Sequence, residues 1–319
     1  MTRRFGRFGV ELALVGVAAV WGGTFVMVKD AVSRYPLYAF LGWRFAIAVI
    51  AFIVIFPRTF TRFKPGTLRA GVLAGLFLTA GYVFQTWGLQ DPRTSSSQAA
   101  FITGMFVVFT PVLQTVVLRR PPKAAAVGGV VAAVAGLWLL SGASSGGWSA
   151  GSTRLLLCAI AYSAHMIVLG GVGRRHDVRA LTLTQLAVTG IVCGAISAAV
   201  ERPPLPTGVA VWSALLVTGV LASAAAFAIQ TYAQRHLSPT RTALILIMEP
   251  VFGGVFGYVF AHDVLGVRGW VGAALIFGGM VLSEVLAALR LGGEPGAVLE
   301  PSLEGMSVPV IEHAEESRE

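Results

Sequence analysis

The chain has 319 residues, of which 55% are hydrophobic and only 12% charged. Soluble domains carry roughly 25% charged residues, so this chain lacks the polar side chains to cover a water-facing surface, and a soluble globular fold is excluded. Mean hydropathy is +0.76 and the net charge is +9, which points to a polytopic membrane protein whose basic residues meet anionic lipid.

Ten spans are predicted, over 10–28, 38–56, 70–90, 98–118, 124–141, 153–172, 181–200, 209–234, 242–260 and 268–289. Each is near the ~20 apolar residues that cross a bilayer. The first begins basic and turns apolar, as a signal peptide does. It continues to Val28 and similar runs follow, so it reads as a retained span. It carries Trp21, Thr24 and Phe25, with Lys29 at its end reading as interfacial. The second carries Arg44, about six residues from one end. A long arginine stem can snorkel to the surface; that, or a structural ion pair, is preferred here to a contact with cargo. The third carries Tyr82 and Gln85 on one face, and the fourth carries Pro111. The sixth carries Tyr162 and His165 at helical spacing, and the eighth Phe227 and Gln230. Cys158 and Cys193 lie in different spans and read as small buried hydrophobes.

The ninth span, "ALILIMEPVFGGVFGYVF", sets Glu249 beside Pro250 in an apolar run. Glu249 falls roughly seven residues in, so ~10 Å deep. A carboxylate at that depth costs roughly 2.5–3.5 kcal/mol, and the proline leaves a backbone carbonyl without its donor. Both features want a wet or protein-lined interior. Either Glu249 braces a helix junction, or it takes up a proton or pairs with a substrate amine.

Charge sets the orientation. With the N-terminus inside, sixteen Lys and Arg fall on inner segments and six on outer ones, as the positive-inside rule requires. Both termini are then cytoplasmic. Residues 291–319 hold seven of the chain's acidic residues and read as a disordered acidic tail. The remaining positive charge suits anionic lipid of the inner leaflet; no nucleic-acid motif is visible.

The two halves resemble each other. "AVWGGTFVMVK" matches "IAYSAHMIVLG", pairing Trp21 with Tyr162, and "YVFQTWGLQ" matches "FAIQTYAQR", pairing Gln85 with Gln230. "VFTPVLQTVV" matches "IMEPVFGGVF", pairing Pro111 with Pro250. "GGVVAAVAG" matches "WVGAALIFGG", pairing Gly129 with Gly272 and Gly136 with Gly279. Four matches in chain order at nearly constant offset mark a repeat. Residues 1–145 and 146–290 form two units of five spans. An odd number of spans puts the second unit into the membrane from the opposite side, so the fold expected is all-α, ten transmembrane helices in two inverted five-helix repeats.

These residues resemble the EamA domains of the drug/metabolite transporter superfamily. The resemblance is carried by Trp21, Gly22 and Lys29, by "WRFAIA" with Arg44, by "QTWGLQDPRTSSSQAAFITGMFVVFTPV", and in the second half by "YAQRHLSPTRTALILIMEPVFGGVFGYVFAHDVLG" and "VGAALIFGGMVLSE". The Gly-Glu pair that the family often shows after its proline-bearing helix is replaced by Arg119–Arg120 and His262–Asp263. The resemblance implies inner-membrane transport, commonly export of amino acids, metabolites or drugs.

The candidate substrate-binding set is Trp21, Thr24, Phe25, Tyr82, Gln85, Tyr162, His165, Phe227, Gln230 and Glu249. Amides orient a polar solute without a buried charge, and aromatic rings wall it in; helix packing is the other use of each. Paired glycines such as Gly253 and Gly257 have the spacing that brings helices together, within the chain or across a homodimer. A secondary carrier without cofactor, catalytic residue or metal is the leading reading. The alternative, an intramembrane lipid-modifying enzyme or protease, would want a nucleophile with a base or a metal motif, and none is visible.

Overall fold

A computed structural model describes residues 2–118, 124–143, 148–173, 175–202, 205–237 and 245–290. Arg119, Arg120 and the acidic tail of the sequence reading lie outside the described residues.

The described residues are helical and contain no strand. The order is α1 (Thr2–Arg34), α2 (Leu37–Ile55), a 3₁₀ turn (Pro57–Arg62), α3 (Thr67–Leu89), α4 (Ser96–Gly104), α5 (Phe106–Leu118), α6 (Ala124–Ala143) and α7 (Ala150–Val172). Then come α8 (Val178–Ile196), a short π-helical turn (Ser197–Glu201), α9 (Val209–Leu216), a longer π-helical stretch (Val217–Ala225), α10 (Ala226–His236), α11 (Met248–Ala261) and α12 (Gly266–Arg290). Six helical stretches are long and apolar enough to cross a membrane: Phe8–Arg34, Leu37–Ile55, Thr67–Leu89, Ala150–Val172, Val178–Glu201 and Val209–Ala233. Shorter apolar helices, Ser96–Thr110, Val127–Leu140, Met248–Ala261 and Gly266–Leu282, stand where the other four spans are expected. Large apolar side chains cover the outside, Val54 at 74% exposed and Phe260 at 65% among them, as suits a lipid solvent and not water.

Two predicted spans are interrupted. The fourth is split at Met105 between α4 and α5, well before Pro111. The ninth has a turn at Ile247, so α11 begins at Met248. Pro250 therefore sits in a first helical turn, where its missing N–H would have had no intrahelical partner. The two interruptions meet: a side chain on Gly104 would come within 3.0 Å of the Pro250 ring.

Small residues set the helix contacts and their directions. Gly22 lies against Gly253 and Gly23 against Phe256, so α1 and α11 run parallel. Ala100 lies against Gly253 and Ser97 against Gly257, so α4 and α11 run antiparallel. Gly81 accepts the Tyr162 ring and Gly88 the Leu155 side chain, so α3 and α7 are antiparallel. Gly71 meets Thr184 and Gly75 meets Val188, so α3 and α8 are parallel. In the closest pair, α6 and α12, a Cβ on Gly136 would lie 2.5 Å from the Gly272 carbonyl, and one on Gly279 2.6 Å from the Gly129 carbonyl. In lipid no hydrophobic force drives helices together, so such close backbone approach is a main source of cohesion.

Gly136→Val should therefore cost helix contact directly. We expect it to lower the melting temperature of detergent-purified protein by roughly 5 °C or more, a few kcal/mol of overpacking. Gly278→Ala, whose new methyl meets nothing within 4 Å, should leave it unchanged.

Candidate functional site

The ten residues singled out by sequence all line one cavity. Side chains crowd it, leaving clear room for only a few waters. From α1 come Trp21, Thr24 and Phe25. The Thr24 hydroxyl donates to the Trp21 carbonyl at 2.7 Å, which satisfies it within its own helix. From α3 come Tyr82 and Gln85, and from α7 Tyr162 and His165. Phe227 and Gln230 of α10 and Glu249 of α11 complete the set.

The aromatic side chains form one connected wall. Tyr82 stands edge-on to Tyr162 at 5.7 Å and to Phe227 at 6.3 Å, and Trp21 lies 5.6 Å from Phe227. Edge-to-face pairs of this kind add roughly 0.5–1.5 kcal/mol beyond burial. Gly81 makes room for it, since any side chain there would overlap the Tyr162 ring.

The polar members differ in how they are satisfied. His165, 3% exposed, bonds through Nε2 to the Gln185 side-chain amide at 2.7 Å. The Tyr162 hydroxyl donates to Gln85 Oε1 at 3.5 Å. Gln230 donates from Nε2 to Met166 Sδ at 3.6 Å, and its Oε1 is buried with no partner among the described residues. Glu249 is 6% exposed and makes no ion pair among the described residues. It lies in the first turn of α11, where the positive end of the helix dipole favours a carboxylate.

Arg44 corrects the sequence reading. It neither snorkels to the surface nor forms an ion pair among the described residues; it is 2% exposed and lines the cavity. Its Nε donates to Ser223 Oγ at 3.0 Å and its Nη2 to the Tyr82 hydroxyl at 3.2 Å. Its backbone carbonyl lies beside Gly219, so the guanidinium reaches about one turn past its own backbone level, toward the cavity. The acceptor Ser223 lies in the π-helical stretch, as does Ala222, whose carbonyl accepts the Trp21 indole N–H at 2.8 Å. Wide turns leave carbonyls and side chains aimed off the regular helix face, and they recur at functional sites. Nothing in hydrophobic periodicity marks Ser223 or Ala222 in advance.

One end of the bundle is tied by carboxylates. Asp263 Oδ2 accepts from the Ser97 amide at 2.8 Å and the Ser97 hydroxyl at 2.9 Å, joining the end of α11 to the start of α4. His262 takes the left-handed conformation, φ 54°, at the helix end where glycine is favoured. Lys29 is half-buried and donates to the Thr94 carbonyl, so it is less exposed than an interfacial lysine. Asp91 Oδ2 accepts from the Gly151 amide at 2.9 Å at the start of α7, and Oδ1 from the Arg93 amide at 3.0 Å. Loss of water opposes the Asp91 charge, but the Gly151 and Arg93 amides, the Arg93 guanidinium and the Ser149 hydroxyl outweigh it and hold its pKa at about 2.

Helices packed through glycine thus enclose a cavity that holds charged and amide side chains. The profile of the EamA-like transporter family matches residues 8–142 and again 150–284. The chain belongs to that family. It is 28% identical over 285 residues to an uncharacterised transporter of Archaeoglobus fulgidus, covering 89% of this chain and 87% of that one. The uncharacterised transporter YoaV of Bacillus subtilis is 23% identical, over 88% of this chain and 98% of its own. A chloroplastic WAT1-related protein of Arabidopsis thaliana is 24% identical, over 85% of this chain and 68% of its own. A solved crystal structure shares the fold with a TM-score of 0.67 at 18% identity, covering 89% of this chain and 99% of that one.

The Asp91 contacts carry a pH signature. A carboxylate held below its ordinary 3.8 contributes stability that is complete above that value and lost as pH falls toward about 2. Asp91→Asn should therefore lower the melting temperature in detergent more at neutral pH than at about pH 3; equal shifts would show that the charge contributes nothing.

Proposed function

We propose that the protein is a secondary carrier of the plasma or inner membrane, exporting small metabolites such as amino acids or amphipathic drugs by alternating access. The observation that carries this reading is the cavity: aromatic, amide and carboxyl groups from both halves of the chain face one interior space. Neither half makes it alone.

Two inverted five-helix repeats, with both termini cytoplasmic, supply the motion. The helix directions support this arrangement. Parallel α1 and α11, antiparallel α4 and α11, antiparallel α3 and α7 and parallel α3 and α8 are what ten alternating crossings require. The α6–α12 pair adds a second support. Sequence matches Gly129 to Gly272 and Gly136 to Gly279, while contacts join Gly136 to Gly272 and Gly129 to Gly279. Exchanging matched residues turns one contact into the other, as a twofold axis between the halves demands. Because the two helices are antiparallel, that axis lies across them, and the halves point opposite ways. Halves related in this way can exchange roles, so inward-open and outward-open shapes lie close in energy.

In this reading Glu249 takes up a proton or the amine of the cargo, with its cost in hydrocarbon relieved either way. Gln85 and Gln230 orient polar groups, and Trp21, Tyr82, Tyr162 and Phe227 hold apolar ones. His165 shapes the wall through Gln185.

The test is counterflow in liposomes. Vesicles holding purified protein and an unlabelled amino-acid mixture should transiently concentrate labelled amino acid from outside, and empty vesicles should not. Glu249→Gln should slow this exchange at least about tenfold, the worth of one charge-assisted contact, and flatten its pH dependence. Exchange unchanged by the substitution at every pH would remove Glu249 from the mechanism. Absence of counterflow for every amino acid and small drug tried would remove the carrier reading.

A further inference from the structure

The carrier reading leaves one buried charge without a task. Arg44 is fixed by two neutral hydroxyls, those of Ser223 and Tyr82, and its guanidinium lies 4.5 Å from the Tyr82 ring centroid. A guanidinium has five N–H donors, and only Nε and one on Nη2 have protein acceptors among the described residues. Arg44 itself lines the cavity. An unpaired cation away from water is costly, and arginine, unlike a carboxylic acid, has no neutral form to fall back on. The group that relieves this cost is an anion entering the cavity.

The opposite pole is in the same space. Glu249 has no ion-pair partner among the described residues, and the Oε1 of Gln230 is buried without a donor. Both are free to accept from an ammonium group. Arg44 and Glu249 line the same cavity as the Tyr82 and Tyr162 rings. They do not pair with each other in this structure. A cavity lined by a free cation, a free acid and aromatic surface suits a zwitterion with an apolar side chain.

We propose that Arg44 binds the carboxylate of the cargo while its ammonium group faces Glu249 and Gln230, so that the cavity selects amino-acid zwitterions over the corresponding amines and carboxylic acids. The planar fork of the guanidinium suits a carboxylate through two parallel hydrogen bonds. The zwitterion brings no net charge into the membrane and leaves neither pole unmatched. The inference rests on the carrier reading only in taking this cavity as the place where cargo sits.

Binding to detergent-purified protein, measured by calorimetry with phenylalanine, phenethylamine and 3-phenylpropionate, tests it without requiring transport. We expect the wild type to hold phenylalanine at least about tenfold more tightly than either partial analogue, since each analogue forfeits one charge-assisted contact. Arg44→Gln should bring the phenylalanine-to-phenethylamine ratio close to one while keeping the amine's own affinity. Glu249→Gln should do the same for the ratio to 3-phenylpropionate. Arg44→Lys keeps the charge but not the fork, and should retain an intermediate ratio; it serves where the glutamine variant does not fold. The proposal is overturned if the wild type binds none of the three, if it prefers the amine, or if Arg44→Gln leaves the ratio intact. It also falls if Arg44→Gln and Glu249→Gln weaken all three ligands alike, the mark of two residues that serve only each other. Counterflow separates the two readings. Selective binding without counterflow sinks the carrier and keeps the charge pairing, whereas counterflow of phenethylamine unaffected by Arg44→Gln keeps the carrier and sinks the pairing.

Discussion

In hydrocarbon every backbone donor, backbone acceptor and charge must be answered from within the protein. Most of this architecture follows from how the chain meets that demand at α11. Glutamate and proline side by side in an apolar run look like two separate liabilities. They become one feature once the helix is seen to begin just before them, at Met248. A helix start has amide groups to spare and a positive dipole end, so the carboxylate gains and the proline forfeits nothing. The open backbone is then screened by α4, itself interrupted at Met105 and packed through Gly104 against the Pro250 ring.

The same demand accounts for the π-helical stretch at Val217–Ala225. A regular helix occupies its carbonyls internally. Widening the turn lets the Ala222 carbonyl take the Trp21 indole and sets Ser223 against Arg44. One local departure from regular geometry thus ties α1 and α2 to the middle of the eighth predicted span. It fixes an aromatic and a cationic wall of the cavity together. Departures of this kind recur at functional sites.

Much of this was legible in the sequence, and the reason is physical. Spans announce themselves because each must be apolar over most of its length, and the repeat survives because both copies obey the same packing rule, visible in Gly129, Gly136, Gly272 and Gly279. Polar and aromatic residues deep in apolar runs stand out against that background, which is why Gln85, Gln230, His165 and Glu249 can be picked before any coordinates. What stayed hidden depends on geometry that no residue type signals. The break in the fourth span lies at Met105, while Pro111 stands within α5. Arg44 looked able to reach the surface because stem length and depth allow it. The hydroxyls that hold it inward, Ser223 and Tyr82, come from spans far away in sequence. Asp263 looked like a departure from a family pattern, yet its carboxylate caps α4 through Ser97.

The repeat also clarifies where chemistry resides. Likeness between the halves is concentrated in glycines and prolines, which shape the frame, and in the paired amides Gln85 and Gln230. The charged positions are not duplicated. In the alignment that sets Pro111 against Pro250, the counterpart of Glu249 is Thr110, whose hydroxyl donates to the Phe106 carbonyl of its own helix at 2.7 Å. A threonine so engaged is content in an apolar setting and asks nothing of the cavity. The glutamate cannot be silenced in that way, because a carboxyl has more acceptor sites than one helix turn can supply with donors. Duplication of the frame with divergence at such a position gives the hollow a distinct acidic side.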